Sequence, residues 1–138
     1  MRFDELAVGM SAEMTHEVTD DMVRLFAEIS GDHNPVHLDD AFAAQTPFGG
    51  RIAHGMLTAS FISACAATKL PGPGAIYLTQ TLRFVRPVRI GDTITTRVEV
   101  AALMPDTHRA RMATSCRNQK GKVVLDGEAE VLVQDPKA

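Results

Sequence analysis

The stretch from residue 55 to residue 69, GMLTASFISACAATK, is apolar on nearly every side, with small residues between the large ones. A helix of that composition is buried over most of its surface rather than along one stripe. The sequence LPGPG follows directly, and its prolines and glycines end the helix. A chain of 138 residues can bury such a helix only if its other elements surround it.

Three segments near the end of the chain alternate between apolar and polar residues, and this period of two predicts β-strands. They cover 91–103, 108–118 and 121–133, and they follow an extended, branched-rich stretch at 76–88. The residues predicted to face inward are Ile94, Val98, Val100, Ala110, Met112, Thr114, Cys116, Val123, Leu125, Ala129, Val131 and Val133. Hairpin turns are predicted at 105–106 and at 118–121, where turn-forming residues cluster.

The first third of the chain predicts a strand, a helix and a shorter helix. The strand covers 11–18, and the first helix runs from a cap at Thr19 or Asp20 to Ser30. The side of that helix predicted to be apolar carries Met22, Val23, Phe26 and Ile29. Asp39 or Asp40 caps a short helix over 41–45, and 46–51 is rich in turn residues.

These elements predict an α+β fold in which an antiparallel sheet wraps around one long central helix. No linker divides the sequence, so we expect a single domain over 1–138. A sheet that wraps only partly around a helix leaves open edges, and we therefore expect a homodimer or a larger homo-oligomer.

Composition and charge exclude several functions. The 14 basic and 17 acidic residues are scattered, which argues against nucleic-acid binding, and no apolar stretch is long enough to span a membrane. No secretory signal is visible, so a cytoplasmic location is expected. Cys65 and Cys116 show neither metal-site spacing nor a disulfide framework, and no glycine-rich nucleotide motif is present.

The segment 26–43, FAEISGDHNPVHLDDAFA, carries the residues that indicate chemistry. Asp32 and His37 lie five positions apart in a stretch that Gly31 and Pro35 are expected to keep irregular rather than helical. Each residue alone has an ordinary structural interpretation, as a turn acid or a packed imidazole. Together, in a loop stiffened around Asn34, they predict acid–base catalysis on a small substrate.

The sequence 29–37, ISGDHNPVH, resembles the signature of the MaoC-like dehydratases, and more narrowly that of the (R)-specific enoyl-CoA hydratases. The similarity continues through 51–57, RIAHGML, and through 82–88, LRFVRPV, with Gly91 and Asp92 after it. It covers nearly the whole chain in the order usual for the family. The resemblance implies a hot-dog fold, common homodimers, and reversible hydration of trans-2-enoyl-CoA to (R)-3-hydroxyacyl-CoA without a metal or an organic cofactor.

The resemblance also implies roles for particular residues. Asp32 and His37 hold one water between them, although which of the two is the base and which is the acid stays open. The backbone amide of Gly55 receives the thioester oxygen at the start of the long helix, where amides are free and the helix dipole favours an anion. In support, Asn34 braces the loop, His54 orients it or packs, and Ser63 either lies near the site or bonds its own helix.

Other polar residues receive structural interpretations. His33, His16 and His108 are expected at the surface. Met56, Leu57, Phe61 and Ile62 are expected to belong to the core rather than to a pocket, although some of them must line the acyl tunnel if the fold is the one implied. Arg83, Arg86 and Arg89 could meet CoA phosphates, but a solvated strand face is the favoured interpretation.

The sequence leaves three alternatives to a CoA hydratase. A 3-hydroxyacyl-ACP dehydratase has the same chemistry with another carrier, and the sequence hardly separates the two. A hot-dog thioesterase often carries a carboxylate on the central helix, but 55–69 contains no Asp or Glu. A non-enzymatic acyl-thioester-binding module would be expected to lack Asp32 or His37, and both are present.

Overall fold

The computed structural model describes residues 1–134, so the last four residues of the expected domain, 135–138, lie outside the described part. The helices are α1 (Asp20–Ser30), α2 (Pro35–Leu38), α3 (Asp40–Ala44) and α4 (Gly55–Thr68). The strands are β1 (Ser11–Glu17), β2 (Ala75–Gln80), β3 (Arg83–Phe84), β4 (Thr93–Met104), β5 (Arg109–Arg117) and β6 (Val123–Val133). Short 3-10 turns cover Phe3–Glu5 and Pro105–Thr107.

The strands form one antiparallel sheet in the order β1-β4-β5-β6-β2, and β3 also pairs with β6. The long helix α4 packs on β4, β1, β2 and β5, so the sheet curves around it. Leu57, Phe61, Ile62 and Cys65 of α4 are buried in the same core as the inward residues of the strands. The predicted α+β architecture, an antiparallel sheet wrapped around a central helix, is confirmed.

The inward faces of β4 and β5 are those that the sequence predicts. Ile94, Val98 and Val100 are buried on β4, and the alternation on β5 buries Ala110, Met112, Thr114 and Cys116. Turns lie at both predicted hairpin positions, and in the second the Gly121 amide donates to the Asn118 carbonyl at 2.9 Å.

One buried residue of β6 was not predicted. Val124 is fully buried although Val123 and Leu125 were the expected inward pair. Cys116 pairs with Leu125 while Arg117 pairs with Val123, so Val124 is an extra residue in the ladder. A bulge of this kind changes the direction of one side chain, which the period-two pattern does not reveal.

The predicted extended stretch 76–88 is not continuous but divides into β2 and β3. The break follows Gln80, and there the Thr81 amide donates to the Glu128 carbonyl at 2.8 Å. A Cβ on Gly127 would come within 1.8 Å of the Thr81 carbonyl oxygen. The crossing of this segment over β6 therefore requires glycine at that position.

Helix α1 begins as predicted, with the Thr19 hydroxyl accepting from the Met22 amide at 3.2 Å. Its buried residues are Val23 and Ala27, one helical turn apart. The prediction that Ile29 lies on the core side is wrong, because Ile29 is 84% exposed. It follows Ala27 by two positions and therefore points to the opposite face. Within residues 1–134, no helix combines the length and the apolar character needed to cross a bilayer.

Candidate active site

A chain of local hydrogen bonds shapes the segment that carries Asp32. Gly31 ends α1 in the left-handed conformation with φ of 79°. The Asn34 amide donates to Asp32 Oδ1 at 3.2 Å, and the Val36 amide donates to Asn34 Oδ1 at 3.1 Å. Side chains of this type commonly bond the backbone two residues ahead. Asn34 therefore braces the loop through its side chain, which is the contribution expected of it.

The segment after Asn34 is helical, contrary to the expectation of an irregular loop up to His37. Asn34 caps the short helix α2, and Pro35 is its first residue. Proline is well tolerated there because the first amides of a helix have no partner within it. His37 thus stands on a helical turn, and its position relative to Asp32 is fixed by the cap.

The orientation of the His37 ring follows from its bond to Ile52. His37 is buried, and its Nδ1 lies 2.7 Å from the Ile52 carbonyl oxygen. Because a carbonyl oxygen only accepts, Nδ1 carries the proton and Nε2 of the neutral ring presents a lone pair. Arg51 holds the backbone of the same residue, since its Nε donates to the His37 carbonyl at 2.7 Å and its Nη2 contacts Asp20 at 2.5 Å.

Asp32, His37 and His54 converge. A carboxylate oxygen of Asp32 and one ring nitrogen of each histidine lie within 4.8 Å of one another. His54 is 1% exposed, and its Nε2 donates to the Asp32 backbone carbonyl at 3.0 Å. Its ring centroid lies 3.9 Å from that of His37, with the two ring planes tilted by 30°. The fold thus brings His54 to the predicted pair of Asp32 and His37, although 22 positions separate His54 from Asp32.

The environment of His37 favours the neutral imidazole. Burial lowers the pKa of His37, and the nearby His54 lowers it further. The Ile52 carbonyl and the Asp32 carboxylate act in the opposite direction, but the pKa stays below its usual value. Near pH 7 the ring therefore has a free lone pair on Nε2, which can accept a proton.

The three residues open into a cavity of about 550 Å³. Its polar lining comprises Asp32, His37, His54, Thr58 and Arg86, and apolar side chains supply most of the remainder. Gly55 lies at its wall as the first residue of α4. This combination of an apolar cavity and a few convergent polar groups is typical of small-molecule sites.

The Gly55 amide has no hydrogen-bond acceptor within residues 1–134. It is one of the free amides at the start of α4, where the helix dipole also favours an anion. The absence of a side chain has a further use here, because a Cβ on Gly55 would lie 2.6 Å from Cε1 of Phe84. The missing side chain therefore makes room for the Phe84 ring.

Two expectations for α4 are not met. Met56 is 55% exposed and lines the cavity, so its assignment to the core is wrong, whereas Leu57, Phe61 and Ile62 are buried as predicted. Ser63 is exposed and lies in a second groove beside Phe26 and Tyr77, outside the cavity of Asp32 and His37. Within the described residues its hydroxyl also makes no bond to its own helix.

The other histidines differ in their surroundings. His33 is exposed, as predicted. The surface position predicted for His16 is wrong, because its ring stacks on Phe61 with centroids 4.1 Å apart. It shares the helix-facing side of β1 with Ala12 and Met14. His108 is exposed, but it lies in the turn after Pro105–Thr107 with φ of 52° rather than in a strand.

Sequence reasoning missed Thr58 and Arg51. Thr58 is 2% exposed and lines the cavity, and its hydroxyl has no hydrogen-bond partner within residues 1–134. It follows His54 by four residues and therefore shares one face of α4 with it, which is a signal the sequence does contain. Arg51 binds the backbone of His37 from a loop, and no periodic pattern indicates such a contact.

Carboxylate and imidazole are also metal ligands, so the cluster of Asp32, His37 and His54 could hold a divalent cation. His37 Nδ1 and His54 Nε2 already donate to carbonyl oxygens. His37 Nε2, His54 Nδ1 and the carboxylate are then the groups left to bind an ion. The expectation that the reaction needs neither a metal nor an organic cofactor stays a prediction.

Comparison with known proteins gives consistent results. Residues 5–122 match the family model described as a MaoC like domain. A 3-hydroxybutyryl-CoA dehydratase of Methylorubrum extorquens is 54% identical over 135 residues, which cover 98% of this chain and 84% of that protein. An (R)-specific enoyl-CoA hydratase of Rhodospirillum rubrum is 47% identical over 131 residues, which cover 95% of this chain and 90% of that protein.

A solved structure shares the fold over almost the entire chain. The R-hydratase PhaJ1 from Pseudomonas aeruginosa, in its unliganded form, superposes with a TM-score of 0.94 at 53% sequence identity. The alignment covers 99% of this chain and 88% of that one. The similarity therefore includes the sheet, the central helix and the segment that carries Asp32 and His37.

Proposed function

Because the chain belongs to the MaoC-like dehydratase family, we propose that it is an (R)-specific enoyl-CoA hydratase, which adds water reversibly to trans-2-enoyl-CoA. It is a hydro-lyase acting on CoA thioesters, as its hydratase and dehydratase relatives are. The observation that supports the assignment best is the convergence of Asp32 and His37 within 4.8 Å at a cavity that also contains Gly55.

The proposed reaction uses Asp32 and His37 as one unit. A water molecule between them directs its hydrogens to the carboxylate and to Nε2 of His37, and its oxygen attacks the β-carbon of the enoyl group. One of the two residues takes a proton from that water, and the pair returns a proton to the α-carbon on the same face. The product gains a hydroxyl and a hydrogen, so no proton is left on the enzyme. The assignment of base and acid within the pair stays open.

The amide of Gly55 stabilises the charge that develops during attack. Electron density moves from the double bond to the thioester oxygen, which becomes enolate-like. The free Gly55 amide at the start of α4 is proposed to donate to that oxygen. A preorganised donor of this type typically lowers a barrier by about 3 kcal/mol.

Substitution of the two polar residues tests the function. Asp32→Asn and His37→Ala should each lower crotonyl-CoA hydration by at least about a thousandfold, because the pair acts as a unit. Loss of absorbance of the conjugated thioester reports the rate, and circular dichroism reports the fold. His33→Ala is the matched control, since His33 is exposed in the same segment. Wild-type activity in a folded Asp32→Asn variant would contradict the mechanism.

Two further measurements separate neighbouring possibilities. Chiral analysis of the product should give the (R)-3-hydroxyacyl thioester, and a thiol reagent should detect no released CoA, as a thioesterase would produce. Dialysis against a chelator should leave the rate unchanged if no metal takes part. A fall in activity that zinc restores would instead assign a metal to Asp32, His37 and His54.

We also propose that the protein forms a homodimer through β2. This strand pairs with β6 on one side only, and Ile76, Tyr77 and Leu78 are exposed along it. An exposed apolar edge strand favours pairing with another chain. A single domain and a cytoplasmic location are part of the same proposal.

A further inference from the structure

Arg86 is exposed, and it is the one lysine or arginine among the described residues that line the cavity. Its Nη1 donates to the Val123 carbonyl at 2.6 Å, which fixes the guanidinium against β6. Within residues 1–134 no carboxylate pairs with Arg86. Arg83, in contrast, makes a two-pronged ion pair with Asp126 at 3.1 and 2.9 Å.

The β5–β6 hairpin carries further cations next to Val123 in sequence or opposite it in the ladder. Lys122 directly precedes Val123, the residue to which Arg86 is bonded. Arg117, opposite Val123 in the ladder, donates from Nη1 to the Gly121 carbonyl at 3.1 Å. Like Arg86, neither Arg117 nor Lys122 has a carboxylate partner in the described part of the chain.

Arg89 is tied to the same hairpin. Its amide donates to Asp92 Oδ2 at 2.9 Å, and Asp92 Oδ1 accepts from the Gln119 side chain at 2.9 Å. The Asp92 carboxylate is thus engaged by amide donors, and Arg89 itself makes no ion pair among residues 1–134. We call Arg86, Arg89 and Lys122 the basic rim.

The basic rim stands out against the charge of the whole chain, which is −3. Of the nearby carboxylates, Asp126 is paired with Arg83, whereas that of Asp92, among the described residues, accepts only from the Arg89 backbone amide and the Gln119 side chain and keeps its charge. Cations that lack partners repel one another, and an anion with several negative charges relieves that repulsion. Guanidinium groups also match the geometry of phosphate oxygens.

We propose that the basic rim binds the phosphates at the nucleotide end of CoA, an inference that rests on the proposed hydratase function. With the thioester oxygen at Gly55 and the acyl carbons at Asp32 and His37, the carrier must leave through the open side of the cavity. Arg86 is the cation that both lines the cavity and faces solvent. The rim therefore distinguishes a substrate that carries phosphates beyond the pantetheine arm from one that does not.

A comparison of two substrates tests this proposal. Crotonyl-CoA and crotonyl-pantetheine have the same reacting group, but only the former carries the nucleotide phosphates. Arg86→Gln should raise the KM for crotonyl-CoA by about tenfold, as expected for the loss of a charge-assisted hydrogen bond, and should leave kcat unchanged. The KM for crotonyl-pantetheine should not change. The combination of Arg86→Gln with Lys122→Gln should raise the KM for crotonyl-CoA further, towards the KM for crotonyl-pantetheine.

Arg83→Gln is the matched control, because Arg83 lies three residues earlier but is paired with Asp126. It should leave the KM for both substrates unchanged. Higher salt should also raise the wild-type KM for crotonyl-CoA more than that of the Arg86→Gln variant, since exposed charges are screened by ions.

Several outcomes would overturn the proposal without affecting the hydratase assignment. Equal KM values for the two substrates in the wild type would show that the phosphates are not bound. If Arg86→Gln raised the KM only for the crotonyl thioester of acyl-carrier protein, the rim would contact an acidic protein surface instead. If the wild type hydrated neither thioester, the proposed function would fail, and calorimetric binding of free CoA to wild type and Arg86→Gln would still decide the role of the rim.

Discussion

The imidazole of His54 donates from Nε2 to the backbone carbonyl of Asp32 at 3.0 Å, and its ring lies 3.9 Å from that of His37. One buried side chain thus contacts both proposed catalytic residues. Because its Nε2 carries the proton, Nδ1 is a lone-pair acceptor, and no partner for Nδ1 exists among residues 1–134. We therefore expect His54 to act as a positioning residue that fixes the loop of Asp32 relative to α4.

Loss of the His54 donor should lower turnover more than substrate binding. We expect His54→Leu to reduce kcat for crotonyl-CoA by about a hundredfold, because a small displacement of reacting groups has effects of that size, with little change in KM. His54→Gln keeps an amide donor and should recover part of the loss. Steady-state kinetics of both variants, with circular dichroism to verify folding, make the comparison. Equal losses of kcat in the two variants would argue that His54 only fills space.

Much of the fold follows from the sequence because its signals are repetitive. The all-round apolar pattern of residues 55–69 predicts a buried helix, and alternation predicts the strands that cover it. Single-residue irregularities do not repeat and were missed. Val124 is buried because the ladder contains one extra residue, and the break between β2 and β3 depends on a close approach to Gly127.

The sequence predicts that Asp32 and His37 belong to one candidate site, but it does not predict the contacts that position them. Asp32 and His37 share one short segment, so their spacing alone suggested joint chemistry. The bond from His54 to Asp32 spans 22 positions, and the bond from Arg51 to His37 spans 14, so both depend on how distant elements pack. The prediction that His16 lies at the surface is wrong, and the alternation of β1 places His16 on the same side as Ala12 and Met14, which faces the helix.

Thr58 offers a test of stability at the cavity wall. Its buried hydroxyl has no partner, and an unpaired buried polar group destabilises the folded state. Thr58→Val keeps the shape and removes that hydroxyl, so we expect the free energy of unfolding to rise by about 1 kcal/mol. Urea denaturation measures the change.

Thr96→Val is the matched control for that measurement. Thr96 is equally buried, but its hydroxyl lies 3.4 Å from the sulfur of Cys116 and therefore has a partner. We expect no gain in stability from this variant. A loss of stability in Thr58→Val, comparable to that in Thr96→Val, would indicate that the Thr58 hydroxyl is satisfied in solution.

The pKa of His37 implies a particular dependence of stability on pH. Burial lowers the pKa of His37 in the folded protein below its usual value of 6.5. At a pH between the lowered pKa and 6.5, His37 binds a proton in the unfolded chain but not in the folded one. The stability of the folded state therefore falls as the pH drops below 6.5. Above 6.5 both states are neutral at this residue and the contribution is constant.

His37→Gln should reduce that slope, because glutamine does not titrate. Urea denaturation of both proteins at several pH values between about 7.5 and 5 gives the difference in slope, which isolates His37 from the other titrating groups. Parallel curves for the two proteins would show that His37 takes up its proton equally well in the folded state.

The exposed edge of β2 predicts the assembly state. Ile76 and Leu78 are 44% and 40% exposed on a strand whose second edge has no partner strand within residues 1–134, so burial against another copy would remove apolar surface from water. We expect light scattering at micromolar concentration to give at least twice the mass of one chain.

Leu78→Lys should shift the population towards the monomer, because a charge at the centre of the contact is costly to bury. Ile29→Lys is the control, since Ile29 is exposed on α1, and it should leave the mass unchanged. A wild-type monomer, or a dimer that Leu78→Lys leaves intact, would exclude β2 as the interface.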